Sequence, residues 1–308
     1  MRTTESEARQ PHSESALRFA PLGIPAAIIA DDSALLDAAI ANFADLRDDT
    51  DADPRIVIRL RRNELATANV GFAVSVKGSC LTIEGQGVGG HADAATGRAE
   101  CRFSSGYRHE SRILAEIGET LLLFLLTRSG RVPVHAACIV IGETAILLAG
   151  RSGCGKSSLA LAAQRQGLPV LSEDTTYVEL EQRLRIRGWP GAIHLNLADA
   201  PEGEFPQRRR GGRTKAAVSR IPAMPFAERA VLVAIEPGRK LELERVEADR
   251  LLAQLPAAEP GFDLLAPQVE KAMAAVAEGG AWRLTLNDSP GDAVSLLREQ
   301  FGRAITDM

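Results

Sequence analysis

Apolar and polar positions follow two different rhythms along the chain. Up to Phe103 the apolar runs are short. Arg18 to Ala30 reads as a strand-and-turn region. Ile56 to Leu60, Phe72 to Val76, Leu81 to Glu84 and Arg98 to Phe103 read as strands separated by Gly and Ser turns. Between them, Ala34 to Leu46 carries apolar residues at helical spacing behind a capping Asp32 or Ser33. Asp48, Asp49, Asp51, Asp53 and Pro54 form a polar loop. Glu110 to Thr127 places Ile113, Leu114, Ile117, Leu121, Leu122, Phe124 and Leu125 at helical spacing. That spacing predicts a long amphipathic helix that joins or packs onto the second part of the chain.

From Val132 the runs lengthen. Val134 to Ile141 and Thr144 to Ala149 read as strands across a Gly-Glu turn, then a helix over Lys156 to Gln166 and a short strand over Leu168 to Leu171. Tyr177 to Leu180 with Arg183 to Arg187 predicts one hairpin. Val231 to Ile235 with Leu241 to Val246, around Glu236-Pro237-Gly238-Arg239, predicts a second. Helices at Ala248 to Leu255, Gln268 to Ala277 and Pro290 to Phe301 frame a strand, Ala281 to Leu286. The pattern therefore divides the chain into a disordered start (1–16), an α+β part (17–108) and an α/β part (109–308).

Composition narrows the class. Among 308 residues, 45% are hydrophobic and 25% charged, which excludes a fibrous or wholly disordered chain. Lys plus Arg is 36 against 40 for Asp plus Glu, a net charge of −4, so no chain-wide basic field draws nucleic acid. The greasiest run, Leu121 to Leu126, is bracketed by Glu119 and Arg128 and falls far short of the roughly 20 residues that span a bilayer. Met1 to Ser15 is polar and of mixed charge, without the apolar centre of a signal peptide. Cys80, Cys101, Cys138 and Cys154 show neither CxxC pairing nor dense spacing, and read as free thiols of a reducing compartment. The expectation is a cytoplasmic protein with no membrane or nucleic-acid partner.

One segment carries chemistry. Gly150-Arg151-Ser152-Gly153-Cys154-Gly155-Lys156-Ser157, followed by Ser158, matches GxxxxGK[ST] between an apolar strand and a helix with Leu159, Ala160 and Ala163. The glycines let backbone N–H groups turn inward on phosphate oxygens, and the helix adds its positive end. Lys156 would lie against the β- and γ-phosphates, and Ser157 would place its hydroxyl on Mg²⁺. A second glycine run, Gly85-Gln86-Gly87-Val88-Gly89-Gly90, spells GxGxxG, but no helix follows it and no βαβ unit surrounds it. It reads as a flexible hairpin loop.

Phosphate binding alone is not a reaction. Leu171-Ser172-Glu173-Asp174 puts two adjacent carboxylates at a strand end, Asp174 standing eighteen residues beyond Lys156. One would complete a Mg²⁺ shell while the other takes a proton from an attacking hydroxyl. Asp174 is read as the metal-side acid.

His135-Ala136-Ala137-Cys138, the loop from Gly150 and the Glu173-Asp174 pair together resemble the catalytic domain of the HPr kinase/phosphorylase family, a fold shared more distantly with ATP-dependent phosphoenolpyruvate carboxykinase. Arg187-Gly188 sits where that family has an Arg-Gly signature. The resemblance covers roughly Val132 to Phe301. Glu173 replaces the first Asp of the family's pair, Arg185 stands where the HPr enzymes have a Glu, and the N-terminal part differs from that of the bifunctional enzymes. The chain is therefore similar to divergent members, notably lasso-peptide precursor kinases. That likeness implies a P-loop kinase fold, ATP and Mg²⁺, and a serine or threonine acceptor on a peptide or small protein, with HPr or a small molecule as alternative acceptors. It also implies that His135 shares a proton with the Glu173/Asp174 pair. Alongside the kinase stand two other function classes, another ATP-using enzyme on the same scaffold and a nucleotide-binding regulator that transfers no phosphate.

The remaining histidines (His12, His91, His109, His194) have no partner at metal-ligand spacing, and no zinc site is expected. The run Gln207 to Lys215 is the one dense basic patch; it reads either as a solvated loop or as a mobile Gly-rich lid in which Arg213 and Lys215 are candidate phosphate or peptide contacts, and the resemblance adds Arg187 as a third candidate. The N-terminal part reads as support for the substrate or for a homo-oligomer.

Overall fold

Strands that are apolar on one face or on both must be covered by helices, and the chain does this twice, around separate sheets. The computed structural model describes residues 15–43, 52–63, 72–104, 111–181, 183–189, 192–197, 206–210, 213–219, 226–255 and 266–302. His12, His109, Asp48, Asp49, Asp51, Pro190, Gly211, Gly212 and the expected disordered start through residue 14 lie outside them. Two units emerge, Met1–Ser129 and Gly130–Met308.

The first unit runs β1 (Ser15–Phe19), β2 (Ala26–Ala30), α1 (Ser33–Phe43), β3 (Ile56–Asn63), β4 (Phe72–Lys77), β5 (Cys80–Gly85), β6 (Val88–Asp93), β7 (Arg98–Ser104) and α2 (Ser111–Arg128). Its seven strands form one sheet in the order β1-β2-β3-β7-β6-β5-β4. The pairs β2–β3 and β3–β7 are parallel, the others antiparallel. One face buries Ile58, Leu60, Leu81, Ile83, Val88, Ala99, Cys101 and Phe103. Asp32 is the helix cap: its Oδ1 accepts from the Ala34 and Leu35 amides at 2.9 and 3.3 Å, and the same carboxylate pairs with Arg62. Two expectations are corrected here. The glycine run does form a hairpin, but as a tight turn rather than a flexible loop: only Gln86 and Gly87 turn, while Val88 to Gly90 continue as strand paired with β5 and β7. Helix α2 belongs to the first unit, packed on α1, β3 and β6 through Ile117, Leu121, Leu122, Leu125 and Leu126, so the division falls after Ser129 rather than after residue 108.

The second unit runs β8 (Arg131–Ile141), β9 (Thr144–Ala149), α3 (Lys156–Arg165), β10 (Val170–Ser172), β11 (Thr175–Glu179), β12 (Arg185–Gly188), β13 (Ile193–Asn196), β14 (Gln207–Arg210), β15 (Arg213–Val218), β16 (Arg229–Pro237), β17 (Glu242–Arg245), α4 (Ala248–Leu252), α5 (Ala266–Glu278), β18 (Ala281–Leu286) and α6 (Pro290–Gly302). Its main sheet follows the order β12-β11-β8-β9-β16-β18-β17, with β10 also on β8; β13-β15-β14 form a small sheet. Alternation along β9 sends Ile146 and Leu148 to a core shared with α3, α6 and the small sheet. Ala145 and Leu147 go to the opposite core, under α5. The hairpin expected between Val231–Ile235 and Leu241–Val246 does not form. Every residue from Val231 to Ile235 is buried, so β16 is a central strand, parallel to both β9 and β18, and the largely exposed β17 is an edge paired with β18. The basic run is also not a lid of loop: Gln207–Arg210 and Arg213–Val218 are strands. Its polar composition hid them.

Candidate functional site

Strand β9 delivers the chain to Gly150, and α3 carries it away from Lys156. Gly155 takes φ 106° as the residue before the helix, a left-handed conformation in which a Cβ would also meet Leu286 Cδ2 at 2.6 Å. At Gly150 a Cβ would sit 2.8 Å from Cys154 Sγ and 2.9 Å from the Ile235 carbonyl. The lysine is buried; its Nζ donates to the carbonyls of Gly150 (2.8 Å) and Arg151 (3.2 Å), folding back across the loop. Arg151, Ser152 and Gly153 are exposed, Cys154, Ser157 and Ser158 half-buried. Burial pushes the Cys154 thiol pKa up, against the pull of nearby Lys156.

The acids arise from a break in a ladder. Ser172 lies opposite Cys138 and Thr175 opposite His135, so the pairing with β8 lapses over Glu173-Asp174. The break is pinned from behind. Buried Ser172 and Thr176 share a short hydroxyl–hydroxyl contact in which Ser172 can donate while Thr176 donates to the Ala136 carbonyl at 2.7 Å. Glu173 is 8% exposed and uses both oxygens: Oε2 accepts from Ser157 Oγ at 2.9 Å, and Oε1 lies 2.9 Å from His194 Nδ1. Asp174 Oδ1 lies at ion-pair distance, 3.5 Å, from His135 Nδ1. Both carboxylates thus face an imidazole, and Glu173 also reaches the Ser157 hydroxyl at the end of the glycine loop.

The sequence pattern set Asp174 beside Ser157; the carboxylate at the Ser157 hydroxyl is Glu173, because the lapse in pairing turns the two side chains to different neighbours. His194, which its sequence spacing left outside any site, is drawn in by β13, where it occupies the polar face of a strand whose Ile193 and Leu195 are buried. Its alternating Ile-His-Leu-Asn pattern was the available signal. Arg187 is held elsewhere. Its Nε donates to Glu179 Oε2 at 3.0 Å and its guanidinium lies 5.0 Å from the Phe226 ring centroid, while Arg131 and Arg185 approach the other Glu179 oxygen at 3.4 and 3.6 Å. Together these contacts form an ion network around the buried Glu179. Lys215 lies on β15 opposite Asn196, and Arg213 on the same strand opposite Arg210.

A metal ion held only by protein needs several converging ligands, and among the described residues no group of three or more His, Cys, Asp or Glu is so arranged. One hydroxyl beside one carboxylate suits Mg²⁺, which keeps waters and takes the rest of its shell from phosphates. Among the described residues no helix is long and apolar enough to cross a membrane. No protein-family model matches the chain, and no curated protein does. Among solved structures it is similar to the HPr(Ser) kinase/phosphatase from Coxiella burnetii, at 14% identity and a TM-score of 0.29, over 56% of this chain and 97% of that one.

Proposed function

We propose that the second unit is an ATP-dependent kinase that transfers the γ-phosphate to a hydroxyl of a peptide, with a ribosomally made precursor of the lasso type as acceptor class. The observation that carries the kinase reading is the convergence of the Gly150–Ser157 loop with two differently partnered carboxylates, Glu173 on Ser157 and Asp174 on His135. Backbone amides of the loop and the first turn of α3 would hold the phosphate oxygens, and Lys156 would leave its loop carbonyls to neutralise them. Ser157 and Glu173 would hold Mg²⁺, which when bound offsets charge on the phosphates. Asp174 would accept the acceptor hydroxyl's proton as that oxygen bonds to the γ-phosphorus and the bond to the leaving ADP breaks, and His135, 3.5 Å from Asp174, would share the proton. His194 keeps Glu173 turned toward Ser157. The peptide acceptor is the finer part of the reading, supported by the resemblance to precursor-peptide kinases. Incubation with γ-labelled ATP, Mg²⁺ and either a serine-containing precursor peptide or HPr should label the peptide. Labelling of HPr alone would remove the peptide acceptor, and adenylylated product would remove the kinase.

A further inference from the structure

In the first unit one face of the sheet buries Leu81, Ile83, Val88, Cys101 and Phe103, and the alternate positions form the other face. Register sets two rows of these across β5, β6 and β7: Glu84, Gly89 and Arg102 in one, Thr82, His91 and Glu100 in the next. They line a cavity of about 620 Å³, an ordinary volume for a small-molecule site. Its floor comes from the glycine run of the sequence. Two adjacent glycines of that run differ in what the fold asks of them. A Cβ at Gly90 would lie 2.9 Å from Cys101 Sγ and 3.0 Å from the Glu100 carbonyl, so packing requires glycine there. At Gly89 a Cβ would meet nothing within 4 Å, and the residue does not take a positive φ. Neither packing nor backbone conformation calls for glycine at 89, where its lack of a side chain weakens the strand.

We propose that Gly89 keeps this slot open for a small aromatic anion, a ligand site built wholly from the first unit. Neighbouring strands lie about 4.8 Å apart, so Glu84 and Arg102 face each other across a bare main-chain floor about 10 Å wide. A flat ring can rest on that floor, which a side chain at 89 would deny it, and His91 stands one row along as a wall. Arg102 supplies the contact for the anion. Glu100 Oε1 engages its Nε at 2.9 Å and its Nη2 at 2.8 Å, which orients the guanidinium while 64% of the side chain stays exposed. The Nη1 donors are left for a carboxylate or phosphate. Arg61, opposite Arg102 on β3, also approaches Glu100, at 3.6 Å. Two guanidiniums therefore share one carboxylate, and that wall keeps positive charge. Exposed Glu84 on the other side suits an N–H donor of the ligand. The ligand class is thus an aromatic anion with an amino group at its far end.

The test is saturation-transfer NMR titration of the whole chain at low salt, with two anions and their matched controls. The pairs are 4-aminobenzoate against 4-aminobenzamidine, and adenosine 5′-monophosphate against adenosine. At least one anion should bind about ten-fold more tightly than its control. Binding of the nucleotide alone would assign a nucleotide ligand, and binding of 4-aminobenzoate alone an aromatic carboxylate. Gly89→Val should weaken the bound anion by about ten-fold or more, and so should Arg102→Gln. Because valine suits a strand and meets no atom at 89, Gly89→Val should also raise the denaturant midpoint of the ligand-free first unit, read by far-UV circular dichroism. Binding of neither anion, equal binding by wild type and Gly89→Val, or a lowered midpoint in Gly89→Val would overturn the proposal. Arg102→Gln alters an exposed side chain and so tests the site independently of what valine does to folding.

Discussion

The two units bury polar groups very differently. Among the described buried residues, the first unit contributes only Ser104 to the polar and charged set, whereas the second contributes Arg131, Lys156, Ser172, Glu173, Thr176 and Glu179. Burying a charge costs several kcal/mol unless partners offset it, and a well-packed apolar replacement is often as stable. A sheet needs no such groups to fold, as the first unit demonstrates. The second unit's polar groups are also not alike. Glu179 with Arg131, Arg185 and Arg187 closes on itself as an ion network. Lys156, Ser157, Glu173 and His194 gather at the end of β9, where the backbone itself departs from regular structure. The contrast shows where the second unit sustains the cost of buried polar and charged groups.

The sharpest way to break this comparison is Gly188→Ala. A Cβ at that position would lie 1.5 Å from the Leu171 carbonyl oxygen, where β12 passes behind the strand carrying the acids. The expected loss is on the order of 4 kcal/mol, read by the fluorescence of Trp189 and Trp282, both in the second unit. Far-UV circular dichroism should retain the first unit's signal at denaturant concentrations that extinguish the tryptophan change. Next in size, Asp174→Asn should slow phosphoryl transfer by about 10²–10⁴-fold with folding unchanged. Glu173→Gln should instead raise the Mg²⁺ concentration needed for half-maximal rate, dividing the two carboxylates by role. His194→Asn should shift that Mg²⁺ requirement in the same direction by a smaller factor, about ten-fold for a lost charge-assisted hydrogen bond of about 1.5 kcal/mol. The smallest effect belongs to the first unit. Asp32→Ala removes a helix cap and an ion pair and should cost about 1–2 kcal/mol in its unfolding, leaving tryptophan fluorescence unmoved. The hydrogen bond from Arg62 holds the Asp32 carboxyl below the ordinary carboxylate range. Its electrostatic contribution is therefore full above the unfolded value near pH 4, about where free Asp titrates, and is lost as pH falls through the lower folded value. The gap between wild type and Asp32→Ala should narrow over that acid window.

Local pattern was legible in the sequence, and long-range pairing was not. The strand–loop–helix around Gly150 could be read because its elements are consecutive and its glycines meet a local backbone requirement. The same holds for the cap at Asp32. The hairpin expected around Pro237 failed because β18, some 40 residues later, inserts between β16 and β17, and nothing near the turn announces it. Adjacent carboxylates at 173 and 174 could be seen as a pair, yet their division between Ser157 and His135 depends on a lapse in the β8 ladder. His194 stood twenty residues from the acids in a short strand, inconspicuous until β13 folded over them. The strands of the basic run were masked by composition, since Gln and Arg give no apolar alternation.

The central claim is that the loop from Gly150 to Ser157 is built for phosphoryl transfer and not merely for a turn. Lys156→Ala tests it most directly, with γ-labelled ATP, Mg²⁺ and a serine-containing peptide in one assay and ATP-dependent thermal stabilisation in another. Wild-type protein should transfer label to the peptide and gain stability with ATP, because a ligand that binds only the folded state stabilises it. Lys156→Ala should transfer no measurable label and lose most of that stabilisation while remaining folded without ATP. Undiminished transfer by Lys156→Ala would contradict the account.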